Sequence, residues 1–133
     1  MNSSTKQQHR ISRHRRVRAK IIGTAERPRV SVFKSNQHVF VQFIDDDSNK
    51  TILSSKVISA KKTTPTPKGR GSNRSVEEIK GSKTEKATKI GEMLAEKAKE
   101  VGIKEAIFDR GGFKYHGRVK AVAEGLRKGG IKI

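Results

Sequence analysis

Apolar positions recur along this chain with two periods, one of two residues and one of three to four. Residues 29–34, RVSVFK, alternate, with Val30 and Val32 on one face. Ser35-Asn36-Gln37 marks a turn. HVFVQFI at 38–44 sets Val39, Val41 and Phe43 on one face and Phe40 and Ile44 on the other. That predicts a strand covered on both sides, or one that meets a partner on its second face. Asp45-Asp46-Asp47-Ser48-Asn49 is a turn cluster, and Thr51 to Val57 predicts a third strand. Connections this short make the three an antiparallel meander.

From Ser82 the period lengthens. Ser82-x-x-Glu85 is a capping box, and Ala87, Ile90, Leu94, Ala98 and Val101 then fall on one helix face. Charged residues, Lys86 among them, line the solvated remainder, and Gly102 stops the helix. Ile103 to Phe108 predicts a strand that joins the sheet as a parallel or crossover addition. A last helix is expected over about Gly117 to Lys128, with Val119, Val122, Ala123 and Leu126 inward. Gly125 inside it implies a close neighbour, since glycine costs a helix about 1 kcal/mol against alanine. Ile131 to Ile133 is expected to return to the sheet. The order is βββαβα. The fold class is a single α/β (α+β mixed) domain with a three- to four-stranded mixed sheet and packed helices.

Two stretches stand outside this pattern. Met1 to Lys20 holds seven cations and no acid. Residues 7–22 have helix propensity but too thin an apolar face to be held by packing alone, so disorder when free and helix along phosphates is expected. Lys61 to Gly81, rich in Pro, Gly, Thr and cations, reads as an exposed loop, mobile unless bound, with one helical turn at Val76–Ile79. Its cations also suit an extension that contacts nucleic acid. The expected division is a basic extension over residues 1–24 and a globular part over 25–133 that carries the loop.

Charge narrows the function. The chain has 31 Lys and Arg against 13 Asp and Glu, a formal net charge of +18, and only 32% hydrophobic residues. Such self-repulsion is relieved by a polyanion. An anionic membrane surface is disfavoured, because no broad apolar helix face accompanies the cations. The chain has no cysteine and therefore no disulfide framework or thiolate metal site. No apolar run reaches the ~18–20 residues of a membrane span. There is no apolar secretory signal, and a soluble intracellular protein is the simplest class. An acid-free, Arg-rich N-terminus also resembles a mitochondrial transit peptide.

The stretch 108–120, FDRGGFKYHGRVK, concentrates the chemistry. Gly111 and Gly112 permit a tight turn and a close approach. Arg110, Lys114, Arg118 and Lys120 bring charge, and Phe113, Tyr115 and His116 bring rings. Cations interleaved with rings suit RNA, which offers phosphates, ribose hydroxyls and stackable bases. Asp109, which phosphate would repel, is expected to partner an Arg or a backbone N–H internally.

Two other classes fit less well. Asp45, Asp46, Asp47 and Asp109 would be the carboxylates of a metal-dependent nuclease, but three consecutive acids in a polar turn point different ways. The four histidines show no ligand spacing. A DNA-binding module lacks a helix-turn-helix or zinc-finger pattern here.

The run RPRVSVFKSNQHVFVQ from Arg27, the following Ile44-Asp45-Asp46, the helix KIGEMLAEKA from Lys89, the loop FDRGGFKYHGRVK and the closing LRKGGI together resemble the bacterial large-subunit ribosomal protein family eighteen. The resemblance covers nearly all of the chain from Arg10 onward, apart from the 61–81 loop. It implies a non-catalytic cytoplasmic protein of the large ribosomal subunit, without cofactor, metal, membrane or small-molecule substrate. It implies binding to 5S rRNA beside other 5S-rRNA-binding proteins, and attachment of that RNA to 23S rRNA in the central protuberance. The residues it places at the RNA include Arg10, Arg13, Arg15, Arg16, Arg18 and Lys20 of the tail; Arg27 before the first strand and Arg29 and Lys34 within it are expected to join them. From the loop come Arg110, Gly111, Gly112, Phe113, Lys114, Tyr115, His116, Gly117 and Arg118. Two features depart from the family pattern: the 61–81 connection is longer, and the last residue is Ile133 rather than Phe.

Overall fold

The computed structural model describes residues 3–55 and 81–133. Helix α1 (Ser3–Arg18) precedes strands β1 (Arg29–Lys34), β2 (Val39–Asp45) and β3 (Lys50–Ser54). Helix α2 (Lys83–Glu100), strand β4 (Ile107–Asp109) and helix α3 (Arg118–Lys128) follow. The sheet order is β3-β2-β1-β4, with β1 antiparallel to β2 and parallel to β4. The α/β class, the meander and the parallel addition agree with the sequence reading. The 61–81 loop apart from Gly81, its helical turn, and the expected end of the third strand at Lys56 and Val57 lie outside the described residues.

The core forms on one face of the sheet. Val30, Val32, Val41 and Phe43 are buried there against Ala87, Leu94 and Ala98 of α2 and Val119, Val122 and Leu126 of α3. The two helices cross closely. A Cβ on Gly125 would collide with the Thr88 carbonyl oxygen. That contact is the close neighbour the glycine implied. The capping box starts α2: Ser82 Oγ accepts from Glu85 N, and Glu85 Oε2 accepts from Ser82 N at 2.8 Å. Val101 corrects the expected apolar stripe, because it caps the helix and is 57% exposed. Ile131 is buried, and the chain end bridges to Glu105 through Lys132, beside the sheet rather than within it. Ile133 packs against the core.

The opposite sheet face carries Arg29, Ser31 and Phe33 of β1, with Phe40, Gln42 and Ile44 of β2 across from them. Phe40 and Ile44 are half-buried and Phe33 is 53% exposed, so this face is partly covered rather than closed. Helix α1 lies on the side of Asp109, which shares this face through its register with Ser31.

Candidate nucleic-acid interface

Helix α1 holds Lys6, Arg10, Arg13, Arg15, Arg16 and Arg18 and buries none of its residues. Its sequence alone gives no reason to dock, yet it is docked. The Gly112 carbonyl accepts from Arg13 Nε at 3.2 Å. Arg10 lies over the Phe113 ring at 5.0 Å, and Lys34 lies over the same ring at 5.6 Å. Phe33 meets Phe113 edge-on at 6.1 Å. The helix backbone comes so near the loop that a Cβ on Gly112 would sit 2.5 Å from the Arg10 carbonyl oxygen. Gly112 also has φ +77°, a conformation side chains disfavour. The structure therefore has this segment as a helix docked on the loop. Cation–π and polar contacts to the loop, not an apolar stripe, hold the segment as a helix. Its bounds are Ser3–Arg18 rather than 7–22.

Beneath this junction lies a buried charge network. Arg29 is 3% exposed. Its Nε and Nη2 donate to the two carboxylate oxygens of Asp46, at 2.9 and 2.8 Å. Its Nη1 donates to Asp109 Oδ2 at 3.0 Å. Asp109 is fully buried and also accepts from the Gly111 N–H at 2.9 Å. Asp46 further accepts from the Gly23 N–H at 2.8 Å, which ties down the connection between α1 and β1. The Arg29 hydrogen bonds, aided by the Gly23 N–H and opposed by partial burial, pull the Asp46 carboxyl down to about 2. The same carboxylate raises the Arg29 pKa against the cost of burial. His14 of α1 completes the setting, with Nε2 3.7 Å from Asp109 Oδ2.

These contacts sort the expected RNA residues. Arg29 is corrected outright: it is buried and all three of its nitrogens are engaged, so it organises the interior. Asp109 has the two internal partners expected of it, an Arg and a backbone N–H. Phe113 is half-buried with its ring taken by Arg10, Lys34 and Phe33, so it docks α1 instead of offering a free ring. Gly111 and Gly112 are buried and shape the backbone. Arg15, Arg16, Arg18, Lys20, Arg27, Lys114, Tyr115 and His116 are exposed, and Arg10, Arg13, Lys34, Arg110, Gly117 and Arg118 are intermediate. Tyr115 is held upright by Phe108, edge-on at 6.1 Å, and its hydroxyl accepts from Arg127 at 3.0 Å. Arg118 turns toward the start of α2 and shares a cleft with Lys83 and Lys86. Lys86 is thus exposed, as expected, but not remote from Arg118. Sequence periodicity missed Arg127, Lys83 and the exposed ring of Phe33.

The three consecutive acids diverge as a turn requires. Asp45 accepts from the Ser48 hydroxyl and the Asp47 N–H, and Asp46 faces Arg29. Among the described residues no group of three His, Asp or Glu side chains is placed to hold a metal ion. No described helix is long and apolar enough to cross a membrane.

Comparison with known proteins decides the family. Residues 4–133 match the family model of ribosomal L18 of archaea, bacteria, mitochondria and chloroplast. The chain belongs to the ribosomal L18 family. Large ribosomal subunit protein uL18 of Bacillus cereus (strain G9842) is 48% identical over 124 residues, which is 93% of this chain and 92% of that protein. The protein of the same name from Bacillus mycoides (strain KBAB4) is 45% identical over 133 residues, 100% of this chain and 99% of its own. That of Bifidobacterium animalis subsp. lactis (strain AD011) is 46% identical over 121 residues, 91% and 87% of the two chains. Membership of the L18 family makes this a structural ribosomal protein and not an enzyme.

Proposed function

We propose that the protein is a cytoplasmic structural component of the large ribosomal subunit that binds 5S rRNA and helps attach it to 23S rRNA in the central protuberance. It sits there beside other 5S-rRNA-binding proteins. One observation carries the reading: α1 is docked on the glycine loop through Arg13 and Arg10, so its cations stand beside that loop as one basic surface. The acids that touch this junction, Asp46 and Asp109, both turn inward onto Arg29, which offsets one of their two charges. Phosphate meets cations without facing those carboxylates. The sheet with α2 and α3 acts as the rigid platform, and residues 1–24 supply sequence-independent phosphate contacts. Folded RNA shape, read by the loop, supplies selectivity. Competition at fixed salt tests this. 5S rRNA should displace duplex DNA and an unrelated folded RNA of equal length. Equal competition by all three would contradict it.

A further inference from the structure

A second basic feature lies apart from the α1 junction. A cleft of about 200 Å³ opens between the β1–β2 turn, the first turns of α2 and the start of α3. Its floor is apolar, made by Val39, Ala87 and Ile90. Lys83, Lys86 and Arg118 bring charge to it, with Gln37 and His38 beside them, and no acid lines it among the described residues. The adjacent Glu85 carboxylate is turned back onto the Ser82 N–H at 2.8 Å. Lys83 Nζ donates to the Asn36 carbonyl at 3.0 Å, which draws the turn and the helix together and leaves further ammonium donors. Arg118 Nη1 is buried and has no hydrogen-bond partner among the described residues. A buried charged donor left without an acceptor is costly, so the arrangement is incomplete until an anion arrives.

Size and chemistry restrict that anion. The cleft is smaller than the ~300–1,000 Å³ that encloses a free cofactor or drug-sized ligand, so it takes a phosphate and one face of a base from a chain anchored elsewhere. A single nucleotide of single-stranded RNA combines a phosphate for the cations with a flat face for the apolar floor. We infer that this cleft receives one unpaired nucleotide of the bound RNA, its phosphate on Arg118, Lys83 and Lys86 and its base over Val39, Ala87 and Ile90. Gln37 and His38 meet the base edge. The inference rests on the RNA-binding reading and extends the contact from Arg118 to Lys83, Lys86, Gln37 and His38.

The test uses the full chain with 5S rRNA at fixed salt. Lys83→Gln with Lys86→Gln is compared with Lys89→Gln with Lys104→Gln, two exposed lysines outside the cleft. Both pairs remove the same charge from the surface. The cleft pair should bind about tenfold more weakly than the other pair. Probing of ribose 2′-hydroxyl reactivity should show one unpaired nucleotide, protected by the unaltered protein, that becomes reactive with the cleft pair alone. Equal affinities, or a loss without a change at any single nucleotide, would overturn the inference and leave the RNA-binding reading intact. Failure of the unaltered protein to bind 5S rRNA would overturn the reading itself. Occupancy of the cleft by an acidic peptide would appear as an unchanged RNA footprint, which also overturns it.

Discussion

Arg29 and Asp109 lie eighty positions apart in sequence, and inside the protein Arg29 Nη1 donates to Asp109 Oδ2 at 3.0 Å. Through this pair the first strand, the last strand and the glycine loop share one charge network. Removing Arg29 leaves the buried Asp109 carboxylate without its guanidinium partner. Arg29→Ala should therefore lower unfolding free energy by about 3–5 kcal/mol. Arg29→Lys should recover little of it, because one ammonium cannot span both carboxylates with the planar fork of arginine. Urea denaturation checks both. Near-native stability of the alanine variant would mean the network is dispensable.

Acid should act through Asp46. Its carboxyl is held at about 2, below the ordinary value of 3.8, chiefly by the Arg29 hydrogen bonds. A depressed native value means the stabilisation is present in full above pH 4. It is lost as pH falls toward 2, where the folded form must also take up the proton. The contribution is about 2 kcal/mol. Stability should fall across that window, and Asp46→Asn should remove that part of the fall while lowering stability at pH 7. Parallel curves for the two proteins would place the acid sensitivity elsewhere.

Docking of α1 should depend on Gly112. A Cβ there would collide with the Arg10 carbonyl, and φ is positive. Gly112→Ala should speed amide exchange across residues 3–18 and leave the α2 and α3 core amides protected. Exchange unchanged over α1 would show that its helix does not rely on the loop.

Much of this architecture was legible in the pattern of residues. Val30 and Val32 alternate, and Val119, Val122 and Leu126 keep helical spacing, so the core side of each element could be read directly. Gly125 announced a close crossing. Helix α1 was harder, since it has no apolar stripe to mark its ends or its docking face. Arg29 was misread because alternation puts it opposite Val30, on a face that looks like surface. The acids that bury it are 17 and 80 positions away. A signal existed: Asp109 ends an apolar strand, and a buried carboxylate needs a cation. Which cation only the fold reveals. Phe113 was misjudged for a similar reason, its ring being enclosed by residues from α1 and β1.

The salt dependence of 5S rRNA binding tests most directly whether α1 meets phosphate. Arg15, Arg16 and Arg18 are exposed and take no part in holding α1 to Gly112 and Phe113. Replacing all three by glutamine in the full chain should reduce the steepness of log K against log salt by about 2 to 3. An unaltered slope, with the helix intact, would show that these cations stay in water and would contradict the proposed interface.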